Sequence, residues 1–430
     1  MYKPVSVIEV RIWDALVGAV TLDAKRGYYA FEYAPEFTKK GIELSPLAMP
    51  ISEANSPFIF ESLPEKTFYR LPALLADSLP DDFGNALINS WMASHGVLRS
   101  AITPLDRLAY MGHRGMGALE FRPERSPARG VSTAIELSKL TEAARKAVNG
   151  SFRNDPLAES ALAQIIRVGT SAGGARAKAV IAWNANTEEI RSGQFEVPEG
   201  FEHWLLKFDG MGLDTELGNS ENYGRIEFAY YKMAIAAGLR MANCRLLHEN
   251  GRAHFMTKRF DRNRNEKYHL QTLCAMAGMD YRQKVTHDYN QLFLVMKSLN
   301  LPYDDFEEAF RRMVFNVLSA NCDDHSKNFS FMMEKGGTWS LAPAYDITHA
   351  YNPSSEWTHQ RLMSINGKFL DVSIDDCMKV AERFSIGTAM SVIKQVQAAI
   401  SNFQDFAKEA NLPKNEISNI MLDQKKFAFK

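Results

Sequence analysis

An α+β fold is predicted, with strands concentrated before about residue 262 and helices dominating beyond it. Three observations lead there. Residues 6–34 alternate apolar and polar positions, as in SVIEVRIW and GYYAFEYA. Short β-rich runs recur at AVIAW (179–183), FEHWLLKFDG (201–210) and AHFMTKRFDR (253–262). Between 304 and 320, Phe306, Phe310, Met313, Val314, Val317 and Leu318 recur at helical spacing. Period two marks a half-buried strand and period 3.6 an amphipathic helix.

The elements follow in order. The 6–34 alternation predicts a small antiparallel sheet, and LPALLADSLPDDFGNALINSWMASHG (71–96) predicts helix with polar breaks. RPERSPARGVST (122–133) holds two prolines and a glycine and reads as a linker. Helices are expected near 136–148 and 157–167. VGTSAGGARAKAVIAW (168–183) is glycine-rich first and strand-like last. RIEFAYYKMAIAAGL (225–239) reads as a helix stopped by Gly238. Asp304 and Asp305 open the 304–320 helix, where carboxylates cap free N–H groups and suit the dipole. FSFMM (329–333), the turn EKGGT and WSLAPAYDI (339–347) read as a hairpin.

The 430 residues exceed one ordinary domain. Two or three are expected, divided at the linker near 125 and again where helices take over near 262: 1–125, 126–262 and 263–430. A formal net charge of −1 supplies no global field for nucleic acid or membrane. Cys244, Cys274, Cys322 and Cys377 lie far apart with no CxxC spacing, against a zinc ribbon or a disulfide framework. Glu9, Arg11 and Asp14 interrupt the N-terminal apolar run, so a signal peptide is not expected. No uncharged apolar run reaches membrane-spanning length. The expectation is a soluble cytoplasmic protein.

NCDDHSKNFSF (321–331) packs polar side chains between two apolar runs. A solvated loop, a metal site or a phosphoryl-transfer site could each carry them. Asp323 and Asn328 stand five apart, the interval of a protein-kinase catalytic loop. There an aspartate accepts the substrate hydroxyl proton and an asparagine holds Mg²⁺. Asp346 follows on the expected hairpin, where a kinase keeps its second metal ligand. Gly173 and Gly174 can expose backbone N–H groups to phosphates. Lys207 follows on a strand and Glu227 on the next helix, as a kinase lysine and its partner should. Taken singly, each has a plainer reading: a turn, a strand-edge charge, a solvated helix residue. Six elements in kinase order outweigh those readings. Asp324 and His325 are read as structural before metal-binding. Lys327 and Lys178 are candidates for neutralising phosphate, Arg176 for solvation. Gly169 and Gly174 have the Walker interval, but Ala175-Arg176 follows where Lys-Ser/Thr is required, which excludes a P-loop hydrolase.

SAGGARAK, HWLLKF, KRFDR, NCDDHSKNFSF and LAPAYD together resemble the HipA-type serine/threonine kinases, toxins of bacterial toxin–antitoxin pairs. VGAVTLDAKRGYYAFEYAPEF, LADSLPDDFGNALI and PLDRLAYMGHRGMGALEFRPE resemble the small domain that precedes the core there. The resemblance implies a two-lobed protein-kinase-like core with a mainly helical C-lobe and a small N-terminal α/β accessory domain. It implies ATP and Mg²⁺ as cofactors, Asp323 as catalytic residue, and Asn328 and Asp346 as metal ligands. Lys207 would bind phosphate. The glycine-rich loop would comprise Ser171, Ala172, Gly173, Gly174, Ala175 and on to Lys178. Ser171, or the adjacent Thr170, would be autophosphorylated, and a phosphate there would repel ATP phosphates. Thr170, His325 and Lys327 are placed at the nucleotide as well. Some members carry an acidic residue before the RFDR stretch; Lys258 stands here, so adenine is expected on backbone near Lys258 and Phe260. The implied partners are a protein substrate, an aminoacyl-tRNA synthetase in the family, and a small DNA-binding antitoxin through which alone DNA is reached. A small-molecule kinase shares the core signature, and an antitoxin-bound regulator of transcription is the non-catalytic alternative.

Overall fold

The computed structural model describes residues 2–80, 82–125, 135–148, 176–210 and 222–429. The N-terminal alternation forms strands β1 (Val7–Ile12), β2 (Ala15–Asp23) and β3 (Tyr28–Tyr33). With β4 (Leu119–Arg122) they make an antiparallel sheet in the order β3-β2-β1-β4. Ile8, Val10 and Ile12 point into the core while Val7 and Glu9 face solvent, the pattern that fixes register. Trp13 and Asp14 close the first hairpin with φ of 46° and 64°. Two successive positive values give the turn a twist that matches the strands.

A second antiparallel sheet holds β5 (Lys178–Trp183), β6 (Ile190–Ser192), β7 (Glu202–Lys207), β8 (Cys244–Glu249) and β9 (Arg252–Lys258). Its order is β6-β5-β7-β9-β8. Every residue of β5 is buried, so the sheet is covered there on both faces. The helix Tyr223–Ala236 lies on β9, and Gly224 allows the approach: a Cβ there would sit 2.0 Å from the Ala253 carbonyl oxygen. Gly238, at φ +83°, ends that helix as expected.

Beyond residue 262 helices dominate. The helix Tyr303–Leu318 is the central one, buried almost continuously from Glu308 to Leu318. Asp304 and Asp305 occupy its first turn, but Pro302 stands at the N-cap and no side chain caps there. Asp305 instead accepts the Leu341 amide at 2.8 Å and pairs with Arg240, so its carboxylate ties elements together rather than capping. The hairpin after residue 329 has strands Ser330–Met333 and Trp339–Leu341. The return strand expected to reach 347 stops at Leu341, and Asp346 takes a left-handed φ of 53° that no strand tolerates. The helix expected at 157–167 and most of the expected linker at 122–133 lie outside the described residues. The four cysteines are buried free thiols. Among the described residues no helix is long and apolar enough to cross a membrane.

Candidate active site

Strand β7 delivers Lys207 to the end of the second sheet, where its backbone pairs with that of Lys178 on β5. Lys207 Nζ bonds the carboxylates of both Glu227 and Asp346. Burial alone would lower the pKa of this ammonium. The two carboxylates outweigh burial and hold it above the ordinary lysine value, hence charged. Asp346 is likewise desolvated, yet the charges of Lys207 and then Lys178 hold it below the ordinary carboxylate range. Its left-handed backbone is the kind of local strain that structures keep at functional positions.

The stretch 321–331 leaves the central helix as an extended segment and closes in a short 3-10 turn, Ser326–Asn328. Asn328 Nδ2 donates to the Asp323 carbonyl at 2.7 Å, which turns its Oδ1 away from that carbonyl. Asp323 Oδ1 accepts the Trp357 indole N–H at 2.7 Å and lies 3.6 Å from His325 Nε2. His325 packs against the Tyr281 ring at 5.3 Å. Burial pushes its pKa down to about 4, so it is neutral near pH 7. Asp324 faces inward and accepts Tyr289 Oη at 2.9 Å and the Leu362 amide at 2.9 Å, with Met363 N at 3.4 Å. It acts as a structural clamp, as the residue pattern suggested. Lys327 rests its ammonium 5.0 Å from the Tyr281 ring. Burial works against its charge and Asp77, from the N-terminal part of the chain, sustains it.

These groups line one cleft of about 1580 Å³. Lys207, Glu227, Asp323, His325, Lys327, Asn328 and Asp346 all face it, so the sites expected from distant segments do converge. Leu205, Phe255, Thr257 and Phe260 supply an apolar wall on the sheet side. Phe260 stacks on Tyr345 with centroids 5.9 Å apart. Lys258 lines the cleft too, but its ammonium pairs with Glu202 and its amide donates to Asn243 O at 2.8 Å. That amide is therefore not open to an adenine. Lys178 is buried at the end of β5, close enough to act on Asp346. Thr170, Ser171, Ala172, Gly173, Gly174 and Ala175 lie outside the described residues.

The donor set bears on a metal. Among the described residues no group of three His, Cys, Asp or Glu side chains is gathered to cage an ion. Asp346 and Asn328 offer hard oxygens beside a cleft wide enough for a nucleotide. That fits Mg²⁺, which keeps several waters and takes one or two protein ligands beside substrate phosphates. Two residues escaped the sequence reading. Trp357 touches Asp323 from 34 positions downstream. Asp77 accepts the amide and hydroxyl of Thr272, each at 2.7 Å, across 195 positions. No spacing rule connects either pair.

Comparison with known proteins places this geometry. The family model of the HipA-like C-terminal domain matches residues 170–427, and that of the HipA N-terminal domain matches residues 8–122. The serine/threonine-protein kinase toxin HipA of Shewanella oneidensis is 21% identical over 389 residues, 84% of this chain and 79% of that protein. The putative kinase Y4mE of Sinorhizobium fredii is 26% identical over 208 residues, 45% of this chain and 46% of its own. Among solved structures, the Shewanella oneidensis HipA in a complex with HipB and operator DNA superposes with a TM-score of 0.68. The alignment covers 98% of this chain and 95% of that one at 17% identity, a likeness of fold.

Proposed function

The chain belongs to the HipA family, and from that premise we propose that it is an ATP- and Mg²⁺-dependent serine/threonine protein kinase acting as the toxin of a toxin–antitoxin pair. The observation that carries this reading is the convergence in one cleft of Lys207, paired to Glu227 and Asp346, with Asp323 and Asn328. Phosphoryl transfer requires little covalent chemistry from a protein. It requires positioning and charge.

In this reading Lys207, held in place by Glu227, binds the phosphates of ATP, and Lys178 and Lys327 add positive charge beside them. Asp346 and Asn328, through its Oδ1, would hold the metal. Bound there, Mg²⁺ would neutralise charge on the transferring phosphate. Asp323 accepts the proton of the acceptor hydroxyl. Phe260 and the sheet-side wall receive the adenine. Ser171, with Thr170 beside it, is the proposed autophosphorylation site within the loop Ser171–Lys178. The proposed domains are 1–125, 126–262 and 263–430, and the proposed setting is the cytoplasm.

The neighbouring solved HipA is bound to HipB and operator DNA. That supports a DNA-binding antitoxin as partner here, with DNA reached through it. The proposed acceptor is a component of translation, and the synthetases that the family resemblance implies are the first to try.

The test is Asp323→Ala. Removing a positioned proton acceptor costs about 10²–10⁴ in rate, so the variant should fold, bind MgATP and lose transfer. Labelled ATP with the purified protein alone should mark Ser171 in the wild type, which a strict small-molecule kinase would not do. Wild-type transfer by Asp323→Ala ends the assignment.

A further inference from the structure

The segment after Asp346 is held by hydrogen bonds within its own turn and from the 321–331 loop. Residues 352–359 bond to themselves: Ser355 Oγ accepts the amides of Trp357 at 3.0 Å and Thr358 at 3.2 Å, and Asn352 N donates to Thr358 O at 3.3 Å. Two successive aspartates of the 321–331 loop then clamp it. Asp323 Oδ1 takes the Trp357 indole N–H at 2.7 Å, and Asp324 Oδ1 takes the Leu362 amide at 2.9 Å. The Trp357 ring lies against His325, with centroids 6.2 Å apart and planes at 64°, and Lys284 Nζ stands 5.9 Å from its centroid. Trp357 also lines the cleft. An indole donates through one N–H and accepts nothing. Its contact with Asp323 therefore has a fixed direction.

We propose that Trp357 is a positioning residue for Asp323, its indole N–H setting the plane of the carboxylate before the acceptor hydroxyl arrives. The inference rests on Asp323 as proton acceptor. A lone carboxylate can rotate about χ2, and each orientation places its oxygens differently. A neutral donor at 2.7 Å selects one orientation without adding the competing charge that a lysine would bring. The turn 352–359 and the Asp324 clamp hold the indole itself. The acceptor platform is thus preset by packing and hydrogen bonds, where many kinases order the corresponding segment by phosphorylation.

Trp357→Phe keeps a ring against His325 and removes the N–H. Its transfer kcat should fall about 10- to 100-fold, the scale of a small misplacement of a reacting group, with KM for ATP within about twofold, since on this inference the indole acts on the acceptor side alone. A role in packing alone would not select kcat. A second readout is independent of activity. With ¹⁵N-indole labelling, six tryptophan signals are expected, and the one missing from Trp357→Phe belongs to Trp357. In Asp323→Ala that signal should move upfield while the others hold. If Trp357→Phe does not fold, the Asp323→Ala spectrum decides: one indole signal moves, or none does and the inference fails. Wild-type kcat in Trp357→Phe beside an inactive Asp323→Ala overturns the inference and spares the catalytic reading. An active Asp323→Ala overturns the catalytic reading itself.

Discussion

Lys207 is one cation between two carboxylates, and its removal shows what each contact contributes. Lys207→Met leaves Glu227 and Asp346 facing each other without a counter-charge. Breaking a well-buried pair costs about 3–5 kcal/mol. Asp346 keeps 29% of its side-chain exposure, so solvent screens part of this, and about 1–3 kcal/mol is expected. The deficit in urea denaturation should shrink in acid, because Lys207 is what holds Asp346 below the ordinary carboxylate range, and protonating Asp346 in its absence removes the repulsion. Transfer should be lost at every pH. At this scale the sequence was informative where chemistry has a spacing. Asp323 and Asn328 are five apart, and Lys207 and Glu227 sit on successive elements, so both pairs were legible. Trp357 was not, because its hydrogen bond to Asp323 depends on how a turn folds back over the loop.

Among the elements, the strands carry histidines that burial keeps neutral. His203 on β7 and His269, on the strand His269–Thr272, both have pKa values pushed down to about 4 by burial. The unfolded chain titrates them near 6.5. Between those values the unfolded state binds more protons, so stability rises with pH across that window and is lost as pH falls from about 6.5 to about 4. Unfolding midpoints at pH 7, 5.5 and 4.5 should decline in that order, and His269→Leu should flatten the decline. The helix that bears Glu227 offers a second check. Gly224→Ala would drive a Cβ into the Ala253 carbonyl, so the helix must shift off β9. A cost of about 1–3 kcal/mol is expected, with weaker ATP binding as Glu227 moves away from Lys207. Helix Tyr303–Leu318 was legible because its apolar positions keep one period through sixteen residues. The strand ending at Leu341 was overdrawn because local propensity for WSLAPAYDI does not register the left-handed turn at Asp346.

Across the whole molecule, the N-terminal sheet is joined to the core through a buried ionic knot. Asp261, fully buried, accepts Arg259 Nε at 2.9 Å, Arg262 Nη1 at 2.7 Å and the Gly117 amide at 2.7 Å. Arg262 returns bonds to the carbonyls of Gly117 at 2.9 Å and Gly115 at 3.1 Å. Trp13 Nε1 donates to Lys267 O at 2.7 Å, and Lys267 Nζ bonds Glu120 at 2.7 Å. The RFDR stretch was visible in the sequence as a motif of the strand end, but its use as the weld between two units was not, since its partners lie some 145 positions away. Burial opposes the Asp261 charge, yet the two guanidiniums hold its pKa well below the usual carboxylate range. Its contribution is complete above the unfolded value near 3.9 and is lost only as pH falls through the lower folded value. Asp261→Ala leaves Arg259 and Arg262 as adjacent buried cations and deletes the acceptor of the Gly117 amide. A loss of about 3–5 kcal/mol follows from an uncompensated buried charge. Because the carboxylate links both units, the single calorimetric transition expected of the wild type should split in Asp261→Ala, with the N-terminal sheet melting first. Asp77, which closes the short helix Ala73–Ala76 of the same N-terminal part, joins it to Thr272 and acts on Lys327, would then lose its support. Transfer should therefore decline with the first transition, before the core unfolds; activity that persists until the second transition would show that the accessory sheet is dispensable for the site.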